Sequence, residues 1–365
     1  MTREFFILDD KYHSIPYAPR LTLVLNKRHD AEITPKLMPA IHAGLGYRTP
    51  KICLAQHLGN CSGPAIAAHT IQRSELTKLS TADRHVYGII LGGKTDKRNF
   101  MIPDRIGVRV ATTFYGVCNR HDTELFYPIE VEKFTASTKQ LFLFHYRSVL
   151  FEYHRRNFEY QKLEKIYNDL SLTPYVRDAK DLRRSLEANK RDKLEINCIK
   201  SECDRIFLSG AYAGCYLHAW EADQPPPIVG TLAFGPHHDL HGKRIQNPVG
   251  PGLLEWLSLT ITIKDGRTLV VIGSECQTKT CRAFVESFES IPPENRMQAL
   301  IVYALCAMEN AVYLPHWWEN GSPSKNGEGG QKMKESANDL TAQSNRNQWL
   351  PSTIYRSHIA SKNPR

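Results

Sequence analysis

Short apolar runs broken by turn residues mark the beginning of the chain as a small mixed module. Residues 106–114 (IGVRVATTF) alternate and are rich in β-branched side chains, which predicts a strand. The run AIAAHTI predicts a second short strand, and LTLVLN within residues 1–50 predicts a lead-in strand. The segment NRHDTELF predicts a helix that ends at Pro128, because proline cannot continue the backbone hydrogen bonding. These elements define a first module at residues 1–135.

An amphipathic pattern at residues 137–168 predicts the longest helix. Ser137 and Gln140 have the spacing of a capping box. Apolar and aromatic residues recur behind them at helical intervals: Phe142, Tyr146, Val149, Leu150, Tyr153, Tyr160, Leu163 and Tyr167. This stripe is typical of a core-facing helix, although an aromatic, basic helix can also bind nucleic acid by stacking and charge. Its polar residues are expected on the surface: His145, Arg147, His154, Arg155 and Arg156. A second charged helix is predicted at residues 177–193, so residues 136–196 form a helical hairpin or connector.

From residue 197 the pattern changes to short alternating or β-branched runs separated by turns. Five runs are interpreted as strands: CDRIFLSG, GCYLHAW, IVGTLAF, LLEWLSLTITI and RTLVVIGS. The dipeptide Asp265-Gly266 between the last two predicts a hairpin. Helices are expected at residues 280–287 and 294–313. Residues 197–320 are therefore predicted to be an α+β domain with an antiparallel sheet and no assigned role.

The remaining residues, 321–365, are predicted to be a mobile tail. They are rich in Ser, Asn, Gly and Lys, and this composition buries too little apolar surface to order itself.

Composition narrows the class of protein. The chain has 365 residues and a formal net charge of +9, which suits an anionic partner such as DNA or RNA because phosphate contacts dominate such binding. No apolar run reaches the roughly 18 residues of a membrane helix, and the acidic start MTREFFILDD does not resemble a secretory signal. Nine scattered cysteines indicate a reducing compartment, so a cytoplasmic location without membrane association is expected. Phosphate-binding patterns of the types GxxxxGK[ST] and GxGxxG are absent, which argues against nucleotide-hydrolysing motors and dinucleotide enzymes.

Four potential metal ligands accompany the first module: Cys53, Cys61, Cys118 and His121. Thiolates and imidazoles are the ligands that Zn²⁺ prefers, and four of them close a structural site. The spacing Cys118-x2-His121 is typical of such sites, whereas Cys53-x7-Cys61 is looser. Buried free thiols are the alternative interpretation.

A second metal site is less well supported by the sequence. Its candidate ligands are the pairs Cys198/Cys203 and Cys276/Cys281 and the loop GPHHDLHG, with His237, His238, Asp239 and His241. The loop is equally typical of a polar connection between strands.

Two phrases of the first module resemble the zinc-stapled HNH endonucleases, the ββα-metal family. AHTIQRS (residues 68–74) is similar to the family phrase D/A-H-I-I-P-x-S, and GVCNRHD (residues 116–122) is similar to its helix start beside a Cys or His pair. The resemblance covers about residues 50–130 and implies a ββα-metal-like zinc module within an α+β chain. It implies that His69 is the general base, taking a proton from the water that attacks a phosphodiester. Ala68 and Thr113 stand where the family has a metal-binding residue and an asparagine.

Each of these residues also has a simpler interpretation. His69 lies in an apolar run, so it could be a core histidine or a fifth zinc ligand. Asp122 could hold a catalytic Mg²⁺ or Mn²⁺ ion or orient His121, but carboxylates are also common in the first turn of a helix. The basic residues Lys94, Lys97 and Arg98 could contact phosphates or belong to a solvated hairpin.

The resulting hypothesis is a metal-dependent nuclease with a structural zinc and a catalytic Mg²⁺ or Mn²⁺. His69, Asp122 and Thr113 occupy its catalytic positions, and by analogy of domain arrangement it would serve bacterial defence. The C-terminal domain would then select the target, sense a signal or bind a protein partner. The alternative is a non-catalytic zinc-containing module that binds nucleic acid or protein, in which Ala68 and Thr113 mark lost catalysis.

Overall fold

The computed structural model of the chain describes residues 51–88, 104–168, 180–247, 252–308 and 310–321. Three predictions fall outside this part: the lead-in strand within residues 1–50, the basic loop with Lys94, Lys97 and Arg98, and the tail beyond residue 321. None of them is tested.

A ββα unit forms the first module, and the predicted α+β fold class is confirmed. Strand β1 (Ile66–His69) pairs antiparallel with β4 (Thr113–Val117), and helix α2 (Asn119–Glu130) follows β4 directly. Between β1 and β4 the chain forms helix α1 (Arg73–Leu79) and the strands β2 (His85–Gly88) and β3 (Asp104–Gly107).

The single strand predicted at residues 106–114 is wrong. The chain leaves β3 at Gly107, turns, and enters β4 at Thr113, which belongs to a different sheet. The amide groups of Val110 and Ala111 both donate to the carbonyl of Gly107, and Thr112 has a positive φ of 58°. Local turn hydrogen bonds therefore interrupt a pattern that by itself favours one continuous strand.

Helix α2 continues past Pro128, which was predicted to end it. A proline removes only its own hydrogen bond to the carbonyl four residues earlier, and that residue, Glu124, is exposed to water. The side chain of Gln140 donates to the carbonyl of Pro128 at 2.9 Å and satisfies one acceptor at the end of the helix.

Two long helices pack together after the ββα unit: α3 (Thr138–Asn168) and α4 (Lys180–Ser209). At the start of α3 the hydroxyl of Ser137 accepts from the amide of Gln140, which is half of the predicted capping box. The other half is missing, because the Gln140 side chain accepts from the amide of Thr135 instead. Tyr146 of α3 donates to Asp204 of α4 at 2.5 Å.

Three of the five polar residues of α3 that were predicted to lie on the protein surface are buried in the protein. His145, Arg147 and Arg156 are buried, and Arg156 pairs with Glu152 at 2.6 Å. The run CDRIFLSG, predicted as a strand, is the last part of α4. Apolar residues along this part of α4 recur at helical spacing and are buried: Ile196, Ile199, Cys203 and Ile206. The helix continues through residue 197, where the predicted α+β domain begins. The bounds of the domains are not tested and remain a prediction.

The other four predicted strands form an antiparallel sheet in the order β6-β7-β8-β5. Their bounds are β5 (Tyr216–Ala222), β6 (Ile228–Phe234), β7 (Leu257–Lys264) and β8 (Arg267–Ser274). The hairpin at Asp265-Gly266 is confirmed, and both residues have the positive φ that a tight turn of this kind requires, 51° and 81°.

Within the described residues this sheet extends to seven strands, because β9 (Val312–Tyr313) pairs with both β6 and β2. Strand β3 pairs with β2 and forms one edge of the sheet, and β5 forms the other. The helix predicted at residues 294–313 is therefore shorter, α6 (Pro293–Ala307). Helix α5 (Lys279–Glu289) begins at Thr278, whose hydroxyl accepts from the amide of Cys281, and α7 (Pro315–Gly321) ends the described chain.

The sheet separates two cores. One face packs on α3, α4 and the ββα unit, whereas the other packs on α5 and α6. Among the described helices, no apolar stretch is long enough to cross a membrane.

Burial of His145 makes the fold sensitive to acid. Burial lowers the pKa of this imidazole to about 4, opposed by a hydrogen bond to the Gly273 carbonyl, and its ring also lies beside Cys203 and Glu275. The unfolded chain binds this proton near pH 6.5, so folding loses stability as the pH falls from 6.5 towards 4. We expect His145 to account for about 3 kcal/mol of that loss. Urea unfolding of wild type and His145→Gln across this range measures the difference. Parallel pH curves would contradict the assignment.

Candidate metal centre and the residues around His69

Four side chains converge at the junction between the ββα unit and the loop that precedes it. Their ligand atoms, on Cys53, Cys61, Cys118 and His121, all lie within 4.8 Å of one another. The three sulfur atoms are 3.3, 3.6 and 3.4 Å from Nδ1 of His121, in the order of their residue numbers. A tetrahedral zinc ion at ordinary bond lengths would separate sulfur and nitrogen by about 3.6 Å. The cluster could therefore hold a metal ion such as zinc.

The local backbone explains how distant residues meet here. Cys118 caps the N-terminus of α2, and His121 follows one turn later. Cys53 is brought alongside by two hydrogen bonds: the amide of Leu54 donates to the carbonyl of Gly116 at 2.7 Å, and the amide of Cys118 donates to the Cys53 sulfur at 3.3 Å. Of the four ligands, only Cys61 is exposed.

Electrostatics at this helix end favour thiolate formation. Burial by itself raises the pKa of the Cys118 thiol, but amide donors of His121 and Ser62 overcome this effect and lower it to about 6. Burial raises the pKa of the neighbouring Cys53 to about 11. A helix N-terminus stabilises negative charge, and thiolates are the form of cysteine that binds metals.

His69 ends β1 opposite Thr113 of β4 and does not belong to the cysteine cluster. Its Nε2 atom lies 2.8 Å from the carbonyl oxygen of Val108. A carbonyl can only accept, so Nε2 carries the proton, and Nδ1 of the neutral ring has a free lone pair. Burial lowers the pKa of His69, assisted by Arg73 and Arg147, and these effects outweigh the hydrogen bond to the Val108 carbonyl and the charge of Glu130, which raise it. The imidazole is therefore kept neutral and held in one tautomer.

Asp122 lies on α2 directly after His121. Burial raises the pKa of its carboxyl group to about 6, although Arg147 opposes the shift. Arg147 and Glu130 act electrostatically on both Asp122 and His69. The charges of Arg147 and Glu130 therefore influence the pKa of both predicted site residues. The third predicted residue, Thr113, lies opposite His69 in the strand pair.

Arg147 and Glu130 were not identified as site residues from the sequence. The Arg147 guanidinium donates to Glu130 at 2.6 Å and stacks 3.9 Å from the centre of the Phe126 ring. Its Nε atom is buried without a hydrogen-bond partner. The spacing of Arg147 from the apolar residues Leu143 and Leu150 was the available signal, because it places the arginine on the buried stripe of the helix.

The candidates for a second metal site are not brought together. Throughout the described ranges, only the cluster around His121 groups three or more His, Cys, Asp or Glu ligands. Asp239 instead accepts from the amides of His241 and Lys243, and His241 pairs with Ser290. The segment with His237 and His238 is thus a polar connection between strands.

Comparison with protein-family models, with curated proteins and with solved structures found no match. The geometry of the chain itself is therefore the basis for a functional assignment.

Proposed function

We propose that the chain is a metal-dependent nuclease that hydrolyses nucleic-acid phosphodiesters. The observation that carries this proposal is the state of His69. It lies at the end of the first strand of a ββα unit, and a backbone carbonyl leaves Nδ1 of its neutral ring as the proton acceptor. This arrangement agrees with the general base of the HNH endonucleases, which the sequence resembles.

His69 takes a proton from a water molecule, whose oxygen attacks the phosphorus atom as the bond to the leaving oxygen breaks. Asp122, the residue predicted to hold a Mg²⁺ or Mn²⁺ ion, lies on α2 directly after His121, and Glu130 and Arg147 act electrostatically on both Asp122 and His69. Such an ion supplies charge stabilisation for the phosphate oxygens and the leaving group. The three cysteines and His121 would hold a structural zinc at the start of this helix.

The direct test is a cleavage assay with the purified full chain. Single-stranded and duplex DNA and RNA are incubated with Mg²⁺ or Mn²⁺, and the products are separated by electrophoresis. We expect cleavage that requires the added ion. An intact substrate under every combination would contradict the proposal.

The pH dependence of kcat/KM is a second prediction. Only neutral His69 accepts a proton, so activity rises as the pH increases through its pKa. Because burial lowers that pKa below its ordinary value of 6.5, the acidic limb is expected below pH 6.5. The measurement is initial-rate kinetics across the range, with zinc content followed in the same samples. A limb at or above pH 7 would not agree with a buried neutral histidine.

A non-catalytic zinc-containing module that binds nucleic acid or protein is the second candidate. Ala68 favours it, because this buried residue next to His69 offers no metal ligand. The cleavage assay decides between the two candidates. If the wild type cuts a substrate and His69→Ala does not, the chain is a nuclease, and the non-catalytic module is rejected. A role in bacterial defence remains a prediction.

A further inference from the structure

One face of the β1–β4 strand pair is partly exposed, and His69 lies on it. Ala68 and Phe114 are paired and both buried, so they mark the inner face. Side chains alternate across a strand, so the next pair, His69 and Thr113, lies on the opposite face, where both are half-buried. Tyr115 follows Thr113 by two residues on the same face, and 40% of its surface is exposed.

Tyr115 lies in a bulge of β4. Ile66 pairs with Val117 and Ala68 with Phe114, so two residues of β4, Tyr115 and Gly116, oppose the single residue Ala67. Gly116 is required here, because an added Cβ would lie 2.0 Å from the Phe114 ring. Bulges of this kind re-aim side chains and are frequent beside functional sites.

A cation lies over one face of the exposed ring. The ammonium group of Lys51 lies 4.6 Å from the ring centre of Tyr115, and Lys51 is itself exposed. An exposed aromatic ring in contact with an exposed lysine suits a nucleobase and the phosphate attached to it. Tyr115 is two residues from Thr113 along the strand, about 7 Å, which is within the reach of one nucleotide step from the phosphate at His69.

We propose that Tyr115 and Lys51 form a subsite for one unpaired base of a nucleic-acid strand, with the neighbouring phosphodiester directed to His69. The preferred substrate is therefore single-stranded or locally unpaired nucleic acid. In a duplex both faces of a base are covered by its neighbours, so the ring could stack only on a base that has left the helix. The position of the phosphate rests on the proposed nuclease function, whereas stacking of the base does not.

Binding without added Mg²⁺ or Mn²⁺ tests the subsite separately from cleavage. Fluorescence anisotropy compares a labelled single-stranded oligonucleotide with a duplex of the same sequence. Tyr115→Ala is expected to weaken binding of the single strand by about tenfold or more, since a stacked base contributes a difference of this size. Duplex binding should change by less than about twofold on the same basis. Tyr115→Phe should retain wild-type affinity, because it keeps the ring.

Tyr127→Ala is the matched control. The exposed fraction of Tyr127 is 47%, compared with 40% for Tyr115, and Tyr127 lies on α2 rather than on β4. Lys51→Ala is expected to reduce the salt dependence of binding by the equivalent of about one phosphate contact. The subsite is rejected if wild type does not bind the single strand, if Tyr115→Ala binds it normally, or if Tyr127→Ala loses as much affinity.

Activity then separates the two proposals. A wild type that binds the single strand through Tyr115 but cuts nothing would reject the nuclease and keep the subsite. A wild type that cuts, with an unchanged KM for single strands in Tyr115→Ala, would reject the subsite and keep the nuclease.

Discussion

Replacement of His69 by alanine is expected to abolish metal-dependent cleavage while the fold and the zinc content are retained. Loss of a positioned general base typically reduces the rate by about 10² to 10⁴. The effect should appear mainly in kcat, because His69 acts on the attacking water and contributes little to binding. Single-turnover cleavage with saturating protein measures this rate directly.

Retained fold and zinc identify the role of His69. A zinc ligand would lose metal and stability together when replaced, and a core histidine would lose stability alone. His85→Ala is a matched control, because His85 is a half-exposed histidine of the same module whose Nδ1 atom donates locally, to the carbonyl of Asp83 at 2.8 Å. Wild-type cleavage rates in His69→Ala would refute its assignment as the base.

Replacement of Cys118 by serine is expected to have the largest effect on stability. The purified wild type should contain about one zinc ion per chain, and the variant should lose it, because four ligands are needed to close the site. A bound metal at a thousandfold excess over its Kd stabilises a fold by about 4 kcal/mol. Elemental analysis and thermal unfolding, each with and without a chelator, measure both effects.

Cys198→Ser provides the control for this experiment. Cys198 is a free, exposed thiol on α4 and does not belong to the cluster, so its replacement should change neither metal content nor unfolding temperature. Two results together would reject the metal centre: well-folded wild-type protein that contains no zinc, and an unfolding temperature of the wild type equal to that of Cys118→Ser.

The sequence predicted the elements whose signal is local. The Asp265-Gly266 turn requires positive φ at both residues, and the long stripe of α3 repeats over many turns, so both were recognised. The metal cluster could be anticipated from residue type, because thiols and imidazoles are the ligands that zinc prefers. The turn and the helix are determined by neighbouring residues, whereas Cys53 and Cys118 are distant in the sequence and only their chemistry linked them.

The errors arose where alternation or residue type alone was taken to decide the structure. Residues 106–114 alternate correctly for a strand, yet local turn hydrogen bonds divide them between two sheets. The segment CDRIFLSG is short and contains the β-branched Ile206, but Cys203 and Ile206 are buried at helical spacing in the core that α4 shares with α3, and burial outweighs intrinsic propensity. Arg147 was assigned to the surface by residue type alone, although its spacing from Leu143 and Leu150 places it in the interior.

The pairing of β2 with β9 affects the order in which the chain folds. Tyr87 lies beside Tyr313 in the sheet, and the side chain of Asn310 donates to Thr70, the residue after His69, at 3.1 Å. Contacts between residues so far apart in sequence form slowly, since a long loop must close first. We therefore expect the contacts that residues 70 and 87 make with residues 310–313 to form only after the ribosome has released the later part of the chain. A fragment ended before β9 would expose β2 as an unpaired edge, and we expect it to aggregate rather than fold.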